Sequence, residues 1–136
     1  MDSRVATSGV HHLKLTVTDV ARSRDFYTGV LGFDVVGDHG STVLISDGSV
    51  LIGLASPPDP SQAIERDLFN ENRVGLDHLS FAVATRADLD RAAQLLTERG
   101  VPNSEVVDLG PDLRICVLML RDPDNIQLEL TAPYEG

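Results

Sequence analysis

Three side chains combine metal-binding chemistry with repeated positions. His12 lies in GVHHLKLTV (Gly9 to Val17), His78 in GLDHLSFAV (Gly75 to Val83), and Glu129 in IQLEL (Ile126 to Leu130). Laid over one another, the first two segments share Gly, His, Leu and Val at an offset of 75 − 9 = 66 residues. Two histidines and one carboxylate make a 2-His-1-carboxylate ligand set, suited to iron, zinc, manganese, nickel or cobalt. Three protein ligands leave coordination positions open, which marks a catalytic ion rather than a structural one.

Such a set works only if the three residues face one way. Period-two alternation puts Leu13, Leu15 and Val17 on one side of a first strand, and His12, Lys14 and Thr16 on the other. The second copy places Leu79, Phe81 and Val83 against His78, Ser80 and Ala82. In the last strand Ile126, Leu128 and Leu130 alternate with Gln127, Glu129 and Thr131. The apolar sides must cover helices, so the polar sides carry the site.

Each first strand is followed by a helix signal. Asp19 is the expected N-cap of a helix with Phe26, Tyr27, Val30 and Leu31 at helical spacing, ended by Gly32. Thr85 and Asp88 suit a capping box before the stripe Leu89, Ala92, Ala93 and Leu96, ended by Gly100. Three strands follow in each copy: FDVVGDH, TVLIS and SVLIGLA, then SEVVDL, LRICVLML and NIQLELT. Asp47-Gly48 reads as a two-residue hairpin turn, with Asp122 to Asn125 as turn chemistry in the matching place. The predicted fold is α+β, two tandem βαβββ modules over about 9–56 and 75–133, forming a cup-shaped mixed sheet with helices outside. Residues 57–74 read as a linker, rich in proline and charge, with a helical turn around Ala63 to Phe69 and a solvated acidic surface at Glu65, Asp67 and Glu71.

Composition removes whole classes of function. The 136 residues fit one domain, and 11 Lys+Arg against 21 Asp+Glu give a net charge of −10. That charge repels nucleic acid and anionic membrane surfaces. A single cysteine, Cys116, excludes an internal disulfide and reads as an inert buried thiol. No apolar run approaches a membrane span, and a cytoplasmic location is expected. His11 lies on the helix-facing side and is expected to be a partly buried packing residue.

The run HHLKLTVTDVARSRDFYTGVLGF, with GLDHLSFAV and DPDNIQLEL, resembles the vicinal oxygen chelate superfamily of glyoxalases, bleomycin- and fosfomycin-resistance proteins and extradiol dioxygenases. The resemblance runs from about Gly9 to Thr131. It implies paired βαβββ modules around one divalent metal, held by His12, His78 and Glu129. Aligning VLIGL with IQLEL puts Gly53 opposite Glu129, where glyoxalase-type members carry a fourth ligand; no acid or amide occurs from Ser49 to Ser56. Met119 stands where ring-cleaving members carry a tyrosine.

The resulting expectation is a glyoxalase-like, metal-dependent lyase or isomerase chelating vicinal oxygens of a small, partly apolar substrate. Glu129 and Lys14 are its candidate catalytic residues. Leu51, Gly53 and Ala55 form an apolar wall, and Thr16, Ser80 and Gln127 are polar substrate contacts. An iron(II) extradiol-type dioxygenase and a metal-free drug-binding protein are the alternatives. A homodimer is expected, since small open sheets leave edges and faces to cover.

Overall fold

The computed structural model describes residues 3–136. The chain divides into two compact units, one ending at Ala63 and one running from Ile64 to Gly136.

The first unit contains β1 (Leu13–Thr16), α1 (Val20–Gly29), β2 (Asp34–Asp38), β3 (Thr42–Ser46) and β4 (Leu51–Ala55), with strands ordered β1-β4-β3-β2. β1 and β4 run parallel and the other pairs antiparallel. The parallel pair needs a long crossover, which α1 and the β2-β3 hairpin provide. Asp19 caps α1 as expected, its Oδ1 accepting from Arg22 N at 3.0 Å. Leu15, Val17, Tyr27, Phe33, Ile45, Ile52 and Leu54 are buried in the core. The β3-β4 connection is longer than the Asp47-Gly48 signal predicts. Ser46 pairs with Leu51, so four residues intervene, and Asp47 Oδ1 accepts from Ser49 N and Val50 N, each at 2.9 Å. An Asx turn replaces the tight hairpin because the aspartate side chain satisfies two backbone donors.

The second unit repeats the plan with β5 (Leu79–Ala82), α2 (Arg86–Glu98), β6 (Val107–Asp108), α3 (Gly110–Leu113), β7 (Ile115–Arg121) and β8 (Gln127–Pro133), in the order β5-β8-β7-β6. The capping box forms, with Thr85 and Asp88 bonded reciprocally. Leu89, Leu96, Leu118, Leu120, Leu128 and Ala132 are buried, as is Cys116. The predicted strand SEVVDL shrinks to Val107–Asp108. Ser104 instead bonds β7 through its own N–H and hydroxyl, and the unpredicted α3 takes up the following residues, with Arg114 left-handed at φ 60°.

The linker also differs from expectation. Its helical turn lies at Pro60–Gln62, nucleated by Asp59, not at Ala63 to Phe69. Nor is its acidic stretch merely solvated: Glu71 forms a bidentate pair with Arg121, at 2.7 and 3.0 Å. Phe69 N donates to Asp124 O at 2.8 Å, and Asn125 Nδ2 donates to Phe69 O at 3.0 Å, so residues 69–71 are tied to the β7-β8 turn. The Arg121 hydrogen bond holds the Glu71 carboxyl down to about 2. Among the described residues no helix is long and apolar enough to cross a membrane.

Candidate functional site

Both histidines lie immediately before a strand, His12 before β1 and His78 before β5, one residue outside the paired registers. Lys14 pairs with Gly53 across β1-β4, and Ser80 pairs with Glu129 across β5-β8. Gly53 is therefore the topological counterpart of Glu129. The offset is 80 − 14 = 66 for the first strands and 129 − 53 = 76 for the last, because the second module is longer between them. A Cβ built on Gly53 would point at Lys14 Cγ, 3.3 Å away, and Leu44 Cδ2, 3.6 Å away. Gly53 thus faces the same side as Lys14, in a regular strand, and fills no bulge.

The second unit assembles an ordered polar cluster. His78 Nδ1 lies 2.6 Å from Asp77 Oδ1, and His78 Nε2 lies 3.6 Å from Glu129 Oε1. Gln127 Nε2 donates to the Asp77 carbonyl and to Asp77 Oδ1, both at 3.1 Å. Thr131 Oγ1 donates to Glu129 Oε1 at 2.9 Å. Since that uses the Thr131 proton, the 2.5 Å contact between Ser80 and Thr131 makes Ser80 the donor. Four of the expected residues thereby fall into two hydrogen-bonded sets, His78 and Gln127 through Asp77, and Ser80 and Glu129 through Thr131, which approach each other at His78 Nε2 and Glu129 Oε1. Only 13% of the Glu129 side chain is exposed.

Asp77 is the residue that the sequence reading missed. It immediately precedes His78, as His11 precedes His12, at the same offset of 77 − 11 = 66. His11 does the corresponding thing in the first unit, placing its Nδ1 2.8 Å from His12 Nδ1. It is exposed rather than partly buried, because it turns toward its neighbour's ring instead of the helix. In both units the residue before the histidine occupies Nδ1 and leaves Nε2 for something else.

The two ring nitrogens of His78 then have different roles. A carboxylate at 2.6 Å fixes the proton on Nδ1 of the neutral ring, so Nε2 carries a lone pair. Glu129 Oε1 is also an acceptor, and 3.6 Å is too long for a hydrogen bond. With the proton on Nδ1, the Nε2 lone pair and Glu129 Oε1 are two donor atoms 3.6 Å apart, a spacing at which one cation is able to share them. The donor set fits a divalent ion, imidazole and carboxylate being ordinary ligands of the first-row metals. Among the described residues no three His, Cys, Asp or Glu side chains gather into one cluster; His12 belongs to the first unit, with Lys14, Thr16, Leu51, Gly53 and Ala55. A surface cavity of about 290 Å³ in the second unit is lined by Ser104, Met119, Arg121 and Gln127 among others, and not by Glu129. Met119 sits directly across the β7-β8 ladder from Glu129.

Residues 9–130 match the Glyoxalase/Bleomycin resistance protein/Dioxygenase superfamily. The chain belongs to that superfamily. A Bacillus subtilis relative, the uncharacterized protein YwkD, is 34% identical over 128 residues, covering 89% of this chain and 94% of that one. The crystal structure of a glyoxylase/bleomycin resistance protein/dioxygenase domain from Frankia sp. EAN1pec has a TM-score of 0.78 at 34% identity, covering 96% of each chain. The catechol-2,3-dioxygenase of B. subtilis is 29% identical over 101 residues, which span 67% of this chain and 32% of that enzyme. The paired modules and the α+β fold expected from the sequence are those of this superfamily.

Proposed function

We propose that this protein is a glyoxalase-like enzyme of Lewis-acid type, in which His12, His78 and Glu129 hold one divalent metal ion. One observation carries the reading: His78 Nε2 and Glu129 Oε1 lie 3.6 Å apart while Asp77 occupies the other ring nitrogen. The repeat supplies the third ligand, since His12 holds in the first module the place of His78 in the second. The two modules, joined by residues 57–74, act as one domain, with the site built within one chain or across a homodimer. Open strands at both ends of each four-stranded sheet leave edges that a second copy covers.

When bound, the ion polarises vicinal oxygens of a small substrate and so favours negative charge on them. The chain's own residues do the rest. Asp77 fixes the His78 tautomer and ring plane. Thr131, with Ser80 behind it, orients the Glu129 carboxylate. Lys14 offers the first module's cation against negative charge, and Gln127 and Thr16 offer hydrogen bonds. Leu51, Gly53 and Ala55 form the apolar wall.

Elemental analysis of untagged protein should find one first-row metal per chain, and His12→Ala, His78→Ala and Glu129→Ala should each lose it while remaining folded. Wild-type metal content in any variant would remove that residue from the ligand set. The similarity to a catechol dioxygenase favours a second reading, an iron(II) ring-cleaving enzyme at the same site. Oxygen uptake with iron and catechols decides it. A metal-free binding protein, the third reading, requires no metal in the untagged protein.

A further inference from the structure

Lys14 is the only lysine in the chain; the other ten basic residues are arginines. Its stem lies over Gly53, the place where the second unit carries Glu129. At equivalent register positions one unit thus holds a hydroxyl and a carboxylate, and the other a cation and no side chain. The row running from Lys14 through Gly53 and Leu44 to Gly37 contains no acid. The adjacent row Leu15–Leu54–Val43 ends at Asp38, on the opposite face with buried Val43, and the nearest acid on the Lys14 face is Asp34, two rows away opposite Ser46 on the edge strand β2. No ion pair with a described residue holds the ammonium, although the chain carries 21 acids and a net charge of −10. A cation left unmatched in so acidic a chain, two residues along the strand from His12, is placed for an anion that the chain does not supply.

We propose that Lys14 docks a carboxylate of the substrate, which makes the substrate an α-oxygenated carboxylic acid, a 2-hydroxy or 2-oxo acid, and not a neutral diol. The proposal deepens the functional reading and rests on it for the vicinal oxygens. An α-oxygenated acid has two such oxygens, one of them already anionic. A lysine ammonium is a compact charge with three rotatable donors, able to follow a small acid where a guanidinium fork would demand one fixed plane. The glycine beneath it keeps the stem low and omits a carboxylate that would otherwise neutralise it.

A single lysine makes the test direct. Reductive methylation with ¹³C-formaldehyde keeps the charge and labels only Lys14 and the α-amine, which differ in chemical shift. At fixed pH, L-lactate and pyruvate should move the Lys14 signal saturably in metal-free protein, and catechol should not. By calorimetry, Lys14→Gln should weaken pyruvate binding by about tenfold or more, the scale of one charge-assisted hydrogen bond, and Lys14→Arg should restore most of it. A signal unmoved by both acids, a response to methylphosphonate but not to the acids, or equal affinity in Lys14→Gln would each overturn the proposal. Metal binding by the same samples separates the two ideas. Bound metal with a silent Lys14 sinks only the carboxylate dock, whereas a responsive Lys14 in protein that takes up no metal sinks the metal reading, and with it the α-oxygen of the substrate, and leaves the carboxylate dock standing.

Discussion

Asp77 Oδ1 stands 2.6 Å from His78 Nδ1, and the same oxygen accepts from Gln127 Nε2 at 3.1 Å. The carboxylate is therefore itself held in place while it holds the ring. Outer partners of this kind raise ligand basicity and fix ring orientation.

Removing that partner should weaken metal binding without touching the fold. Asp77→Ala should lower metal affinity by roughly 10- to 100-fold, the usual cost of losing such a partner. Its melting temperature should stay near wild type, since Asp77 is exposed. Calorimetry beside thermal unfolding checks both parts, and unchanged affinity would show that Asp77 does not act through His78.

Gly53→Glu tests the register of the repeat. The new Cβ would meet Lys14 Cγ at 3.3 Å, a contact that a flexible stem relieves by shifting a few tenths of an ångström. Gly53 has no left-handed backbone to strain, so the variant should fold. An added anionic ligand should tighten metal binding by about tenfold while lowering activity, because it occupies an open position and reduces the ion's Lewis acidity. Unchanged affinity and an unchanged visible spectrum of bound cobalt would mean that Gly53 does not face the metal.

The register was legible because both copies keep the same alternation around Lys14 and Gly53 and around Ser80 and Glu129. The caps at Asp19 and Thr85 were legible because their partners are local in sequence. What stayed hidden depends on distant partners. SEVVDL alternates like a strand, yet Ser104 spends its hydrogen bonds on Met119 fifteen residues away, and only Val107–Asp108 pair in a ladder. Glu71 looks solvated until Arg121, fifty residues on, meets it. Asp77 and His11 each lay beside a highlighted histidine, and the shared offset of 66 was the signal that could have found them.

The Glu71–Arg121 pair sets an acid limit on the linker's anchorage. Glu71 titrates at about 2 in the fold against 4.5 ordinarily, so the unfolded chain binds its proton first. The pair's stability is therefore complete above about pH 4.5 and is lost as pH falls toward 2. Glu71→Gln should lower the melting temperature by a few degrees at neutral pH, and the gap from wild type should close near pH 2. A gap independent of pH would mean that the ion pair contributes nothing.

Ser23 predicts a change of the less usual sign. Its hydroxyl is buried on α1 with no hydrogen-bond partner among the described residues. Ser23→Ala removes an unsatisfied polar atom and improves helix propensity, and should stabilise the protein by about 1 kcal/mol. Chemical denaturation measures it, and a loss of stability would show that the hydroxyl has a partner in solution.

The central claim is that a metal ion joins His78 to Glu129. Cobalt(II) added to metal-free, untagged protein tests it most directly, because its visible spectrum reports ligand type while its saturation reports stoichiometry. One cobalt per chain is predicted, with affinity reduced by at least about 100-fold in both His78→Ala and Glu129→Gln, each still folded. Cobalt bound with wild-type affinity and spectrum by either variant, or not bound by the wild type at all, would contradict the account.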